Sequence, residues 1–193
     1  MTVHGRGDHA GATPMDFRLD PTTVLAECVL ELERLVLAAG KGTVGTVGEI
    51  DVTSGLINAI AERVRFSVDI RAVDPDVFDR VPDEIIAFAA RAAEQRGMRI
   101  DHVRRQHART TPMDPGVVAA LEDASRQSGV PFMRMPSGAG HDTMCLADRV
   151  PSAMLFLPCK DGISHHPAED AKPEDAAVAV EVALNAIRSL ASG

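Results

Sequence analysis

The chain has 193 residues, 45% apolar and 25% charged, the composition of an ordinary globular protein that buries a core without disulfide or metal staples. A formal charge of −8 argues against a nucleic-acid partner, because the one basic cluster, Arg104 to Arg109, carries no interleaved aromatics to stack on bases. Cys28, Cys145 and Cys159 form no C-x-x-C pair, which fits a reducing cytoplasm, and neither a signal-peptide core nor a membrane-spanning window occurs.

In chain order, residues 2 to 8 are read as a first strand. Asp20 is a suitable N-cap and Pro21 a suitable first helical residue for a helix whose apolar positions, Leu25, Cys28, Val29, Leu32 and Val36, repeat at three and four until Gly40. Alternation then predicts two strands. In the first, Val44, Thr46, Gly48, Ile50 and Val52 share a face; in the second, Val64, Phe66, Val68 and Ile70 oppose Arg63, Arg65, Ser67, Asp69 and Arg71. The connection between them, residues 53 to 61, is too long for a tight hairpin and carries a lone amide, Asn58. A second helix is expected from Asp74-Pro75 to Gly97, bent or restarted at Pro82, and a last strand from Met98 to His107. This β-α-β-β-α-β order is that of a ferredoxin-like sandwich over residues 2–108.

Beyond a linker at Arg109 to Met113 the rhythm changes. Asp114-Pro115 opens a helix to Gly129, Val130 to Met135 reads as a short strand, and a glycine-rich loop, Pro136 to Asp142, leads to another helix. Ser152 to Leu157 has the composition of a buried strand, and a helix from Pro173 to Leu190 closes the chain. Residues 109–193 thus read as part of an α/β layer with too few strands to be complete.

The candidate chemical groups each have a plain alternative. His9, in a loop of small residues, is open to a ligand or is a surface group. Asn58 can donate to a substrate oxygen or satisfy loop backbone. Arg71 can grip a carboxylate with its fork or pair with Asp69 or Asp74. The loop holding Gly140 and His141 allows close backbone approach to a ligand, although such turns are common. Asp161 to Glu169, with His165 and His166 beside carboxylates, offers metal-ligand chemistry or is a solvated polar loop.

Taken together, Asp8-His9-Ala10-Gly11-Ala12-Thr13-Pro14-Met15 with Arg18 and Asp20, Asn58-Ala59-Ile60, Asp69-Ile70-Arg71, Pro136 to Asp142, and Gly162-Ile163-Ser164-His165 with Pro167 and Glu169 resemble, in order, the amidases of hydantoinase/carbamoylase type within the M20 metallopeptidase group. The resemblance implies a two-metal α/β hydrolase, with Zn or Mn, interrupted by a small domain that forms a homodimer. It implies that His165 is a metal ligand and that His9 polarises the scissile carbonyl. Asn58 and Arg71 would then hold the carboxylate of a small substrate, these two and His9 reaching from the small domain into a catalytic site, typically that of the partner subunit, and Gly140 and His141 would line the cleft. The family's remaining metal ligands and its general base precede the small domain, and nothing here matches them. The expected chemistry is hydrolysis of a linear amide or ureido C–N bond, with an aminoacylase or peptidase, or a non-catalytic dimerisation module, as the alternatives.

Overall fold

Asp20 starts the first helix, α1 (Pro21–Ala39), by accepting a hydrogen bond from the Thr22 N–H at 3.0 Å, and Gly40 ends it at φ 86°, where a side chain would be strained. The computed structural model describes residues 1–53, 56–105 and 110–192, and the chain divides into two units, Met1–Thr110 and Thr111–Gly193.

In the first unit β1 (Thr2–His4), β3 (Thr43–Thr53), β5 (Arg63–Ala72) and β6 (Arg99–Asp101) form one antiparallel sheet in the order β3-β5-β1-β6. Helices α1 and α2 (Pro75–Gln95) cover one face. Val3, Val24, Cys28, Val64, Phe66, Ala89 and Met98 make one buried cluster, and Leu32, Leu35, Val81 and Ile85 continue it between the helices. The opposite face is charged: Arg65, Arg71 and Asp69 are exposed along β5, and His4 Nε2 lies 2.8 Å from Asp101 Oδ2.

Three sequence expectations change here. The strand read over residues 2–8 is two strands, β1 and β2 (Asp8–His9), because a Cβ at Gly5 would lie 2.2 Å from the Leu19 carbonyl oxygen. Only glycine lets the chain pass so close to the start of α1, and there it leaves the ladder, with the Arg6 N–H donating to Leu19 O at 2.9 Å. The single face read from Val44 to Val52 is broken by a β-bulge between Val47 and Ile50, where Gly48 and Glu49 stand opposite Ser67. Val44 and Thr46 therefore pair with the outward residues Arg71 and Asp69, whereas Ile50 and Val52 pair with the inward Phe66 and Val64. Of the bend or restart expected at Pro82 the restart does not occur, α2 running as one helix through it. The last strand is shorter than expected, Arg99–Asp101, and positions 106 and 107 of that expectation lie outside the described residues.

The second unit is helical among its described residues: α3 (Pro115–Gln127), α4 (Thr143–Ala147) and α5 (Pro173–Ala191). Asp114 caps α3 by accepting from the Gly116 and Val117 N–H groups, both at 2.9 Å. Ala124, Val182 and Ala186 form its small buried core, with Leu121 and Val130 packed against it. The strands expected at Val130–Met135 and Ser152–Leu157 do not form. Apolar composition records a tendency to be buried, whereas a strand also needs a ladder partner, and neither segment has one among the described residues. Met133, Met135 and Phe156 are left exposed, as are Val180, Leu184 and Ile187 along one side of α5. No helix among the described residues is long and apolar enough to cross a membrane.

Candidate functional site

A two-residue ladder builds the clearest constellation. β2 pairs antiparallel with β4 (Ala59–Ile60), placing Asp8 opposite Ile60 and His9 opposite Ala59, and the Ala10 N–H donates to Asn58 O at 2.8 Å. His9 and Asn58, far apart in sequence, thus become exposed neighbours at a separate two-stranded sheet, β2 following β1 and β4 preceding β5 in the chain. The turn that follows wraps His9. Its carbonyl accepts from Ala12 N–H at 3.2 Å, Thr13 N–H at 3.1 Å and the Thr13 hydroxyl at 2.9 Å. Its ring Nδ1 accepts from the Gly11 and Ala12 N–H groups, both at 3.1 Å. Arg18 in turn donates from Nε to Thr13 O at 3.0 Å and from Nη2 to Ala10 O.

Arg71 is not brought to this pair. It sits next to the end of the ten-residue β5, opposite Val44, whereas His9 and Asn58 lie beyond the other end. At ~3.3 Å per residue the separation is about 25 Å or more. Arg71 pairs with Asp69 at 2.9 Å, and this carboxylate holds the guanidinium pKa above its ordinary value.

In the second unit, His141 Nδ1 accepts from the Thr143 N–H at 3.1 Å and lies 2.8 Å from the Thr143 hydroxyl at the start of α4. A Cβ at Gly140 would meet only Met144 Sδ, at 3.7 Å, so no described neighbour demands a glycine there. His165 occupies the left-handed region at φ 58°, as does Asp161 at 55°, and a non-glycine residue there stores roughly 1 kcal/mol or more of strain. Glu169 Oε2 accepts from the His165 N–H at 2.8 Å, and His166 Nδ1 accepts from the Ala168 N–H at 3.1 Å. These carboxylate and imidazole groups tie the loop to itself instead of converging. Among the described residues no group of three or more His, Cys, Asp or Glu side chains is placed to hold a metal ion. The described residues therefore do not by themselves make up the two-metal centre that the resemblance implies.

Two of the residues that shape the site, Thr13 and Arg18, were not singled out by chemistry in the sequence; the signal there was the Thr13-Pro14 turn with an arginine four residues after the proline. Cys28 offers no nucleophile, because burial, reinforced by Glu27 and Glu31, pushes its thiol pKa up to about 11.

Residues 11–189 match the model of peptidase family M20/M25/M40. An N-carbamoyl-L-amino acid amidohydrolase of Geobacillus stearothermophilus is 40% identical over 193 residues, all of this chain and 47% of that protein. An allantoate amidohydrolase of Bacillus subtilis is 29% identical over 191 residues, 99% of this chain and 46% of that protein. The crystal structure of an amidase of the hydantoinase/carbamoylase family from Burkholderia multivorans superposes with a TM-score of 0.93 at 34% identity, covering 97% of this chain and 46% of that one. The chain thus spans about half the length of the curated relatives it matches. With the family model covering nearly the whole chain, from the turn after His9 to the last helix, the chain belongs to peptidase family M20/M25/M40.

Proposed function

We propose that this chain is part of a metal-dependent amidohydrolase that cleaves a linear amide or ureido C–N bond in a small N-carbamoyl-type acid. The carrying observation is the β2–β4 ladder, which sets His9 beside Asn58 on an exposed edge with no described group bonded to His9 Nε2 or to the Asn58 side-chain amide. Attack on a carbonyl carbon moves negative charge onto its oxygen, and donors held where that charge develops lower the barrier. His9 supplies such a donor, while Asn58 and Arg71 bind the substrate carboxylate, the arginine through its fork. His165 is the one metal ligand this chain contributes, with Gly140 and His141 lining the cleft. The metal, Zn or Mn, would activate the attacking water in the complete enzyme, through ligands that lie outside the span matched here.

The first unit reads as the ferredoxin-like dimerisation domain. One copy cannot place His9, Asn58 and Arg71 on the same small substrate, since about 25 Å separates the pair from the arginine. A shared site follows if two copies contribute to it, the pair from one and Arg71 from the other. The pairing surface favoured by the fold is β3: it is the sheet's edge strand, eleven residues long, and Ile50 and Val52 on it are 52% and 41% exposed although they point to the helix-covered side. Ile50→Lys, which puts a charge on that edge, is expected to convert a dimer to a monomer in sedimentation, with the far-UV spectrum kept. Wild-type protein that stays monomeric at every concentration would remove this surface from the reading.

The function itself is tested by assaying the purified, metal-loaded chain with an N-carbamoyl amino acid, an N-acetyl amino acid and a dipeptide. Alone it is expected to give no more than trace turnover. Joined to the unmatched part of the Geobacillus relative, it is expected to hydrolyse the N-carbamoyl substrate best. Preference for the N-acetyl compound or the dipeptide would move the reading to an aminoacylase or peptidase, and silence of the fusion would favour a non-catalytic dimerisation module.

A further inference from the structure

We infer that the turn Ala10–Thr13, clamped by Arg18, is a device that holds His9 as the Nε2–H tautomer, so that this histidine serves as a hydrogen-bond donor and not as a general base. Two backbone N–H groups, of Gly11 and Ala12, point at the ring Nδ1 from 3.1 Å each, and an amide N–H can only donate. Nδ1 must therefore present its lone pair inward. In a neutral imidazole the remaining proton then sits on Nε2, the nitrogen left facing outward on an exposed ring. With Nδ1 occupied and Nε2 carrying hydrogen, the ring has no free lone pair with which to take a proton from water.

The turn holds this arrangement through contacts remote from the ring. The His9 carbonyl takes three donors from Ala12 and Thr13, which fixes the backbone on both sides of the amides that reach Nδ1. Arg18 closes the far side by donating to both Ala10 O and Thr13 O, the two carbonyls that flank those amides. Thr13 is buried and Arg18 half-buried, so the arginine's bonds are partly shielded from water, while the Gly11 and Ala12 residues whose amides they brace are exposed. At Gly11 a Cβ would lie 3.2 Å from His9 Cε1, close enough that the ring would have to shift by a few tenths of an ångström. Arg18 is thus a positioning residue, acting on substrate only through His9. This deepens the reading of His9 given above and rests on it for its functional meaning.

The test needs neither substrate nor metal. In the nitrogen-15-labelled chain, long-range correlation spectra of the imidazoles, with His9 assigned by its loss in His9→Gln, are expected to show Nε2 protonated and Nδ1 bare. The Gly11 and Ala12 amides are expected to exchange slowly. In Arg18→Met those two amides are expected to exchange at least about tenfold faster, with the His9 ring signals averaging, while the amides of Val3 and Val64 stay protected. Arg18→Lys, which reaches one carbonyl but not both, is expected to fall between. An Nδ1–H form or a tautomer mixture in the wild type would overturn the inference, and unchanged exchange in Arg18→Met would remove Arg18 from it. Should Arg18→Met also expose Val3 and Val64, Thr13→Val decides: it deletes only the hydroxyl donor to the His9 carbonyl, and it supports the clamp by loosening the Gly11 and Ala12 amides and overturns it by leaving them fixed. A fixed tautomer in a chain whose fusion proves inactive would leave the clamp standing and sink only the proposed hydrolysis.

Discussion

His9→Ala, placed in the fusion that restores the unmatched half, is expected to lower kcat by about 10²- to 10³-fold with little change in KM, the signature of a donor that matters only as charge develops on the carbonyl oxygen. Arg71→Ala is expected to act differently. It removes a charge-assisted contact made already in the ground state, and kcat/KM falls about 10- to 100-fold, mainly through KM. The separation of the two residues along β5 makes a sharper forecast possible. Each variant assayed alone below KM keeps at most about a tenth of wild-type activity, but mixing them and letting subunits exchange is expected to recover about a quarter, because half the dimers then own one site with both residues intact. If all three residues served one site from the same copy, no mixture would recover anything. That outcome would contradict the distance read from the sheet.

Phe66→Ala is expected to cost about 3–5 kcal/mol, the largest single loss of stability in the first unit. Phe66 is 2% exposed, faces both helices, and its N–H donates to the Met1 carbonyl at 3.0 Å, so truncation opens a cavity in the middle of the sheet where β1, β3 and β5 are joined. The chain has no Trp and no Tyr, so intrinsic fluorescence is a poor probe; hydrogen exchange at the amides of Val3 and Val64 reads the unit directly. Phe66→Leu, which keeps most of the volume, is expected to lose less than half as much. Equal losses for the two variants would mean that cavity formation is not what the position resists.

How much of this was legible in the sequence follows from which signals are local. Asp20, Asp74 and Asp114 each precede a proline and each caps a helix in the structure, since a cap needs only its own next few residues. The 3.6-residue repeat of α1 and the alternation of β5 were equally plain, and they fix which side of each element is buried. The bulge at Gly48–Glu49 was not, because the alternation across it looks continuous, and only the pairing with Ser67 shows the face changing. The strands expected at Val130–Met135 and Ser152–Leu157 failed for a related reason. Their apolar content is a property of the segment, but a ladder is a property of two segments.

By itself the sequence determined the membership of the chain in its family, the helix starts, the buried stripes, and the residue types able to handle a carbonyl and a carboxylate. Tertiary structure decided which of those residues meet. It set His9 beside Asn58 through a two-residue ladder and turned the Gly11 and Ala12 amides onto the His9 ring. It also left Arg71 near the far end of β5, in the four-stranded sheet, away from the two-stranded ladder that holds His9. Spacing along a chain cannot show this, because the distance between two residues in a sheet depends on register and strand length, which are fixed only when every strand has found its partner.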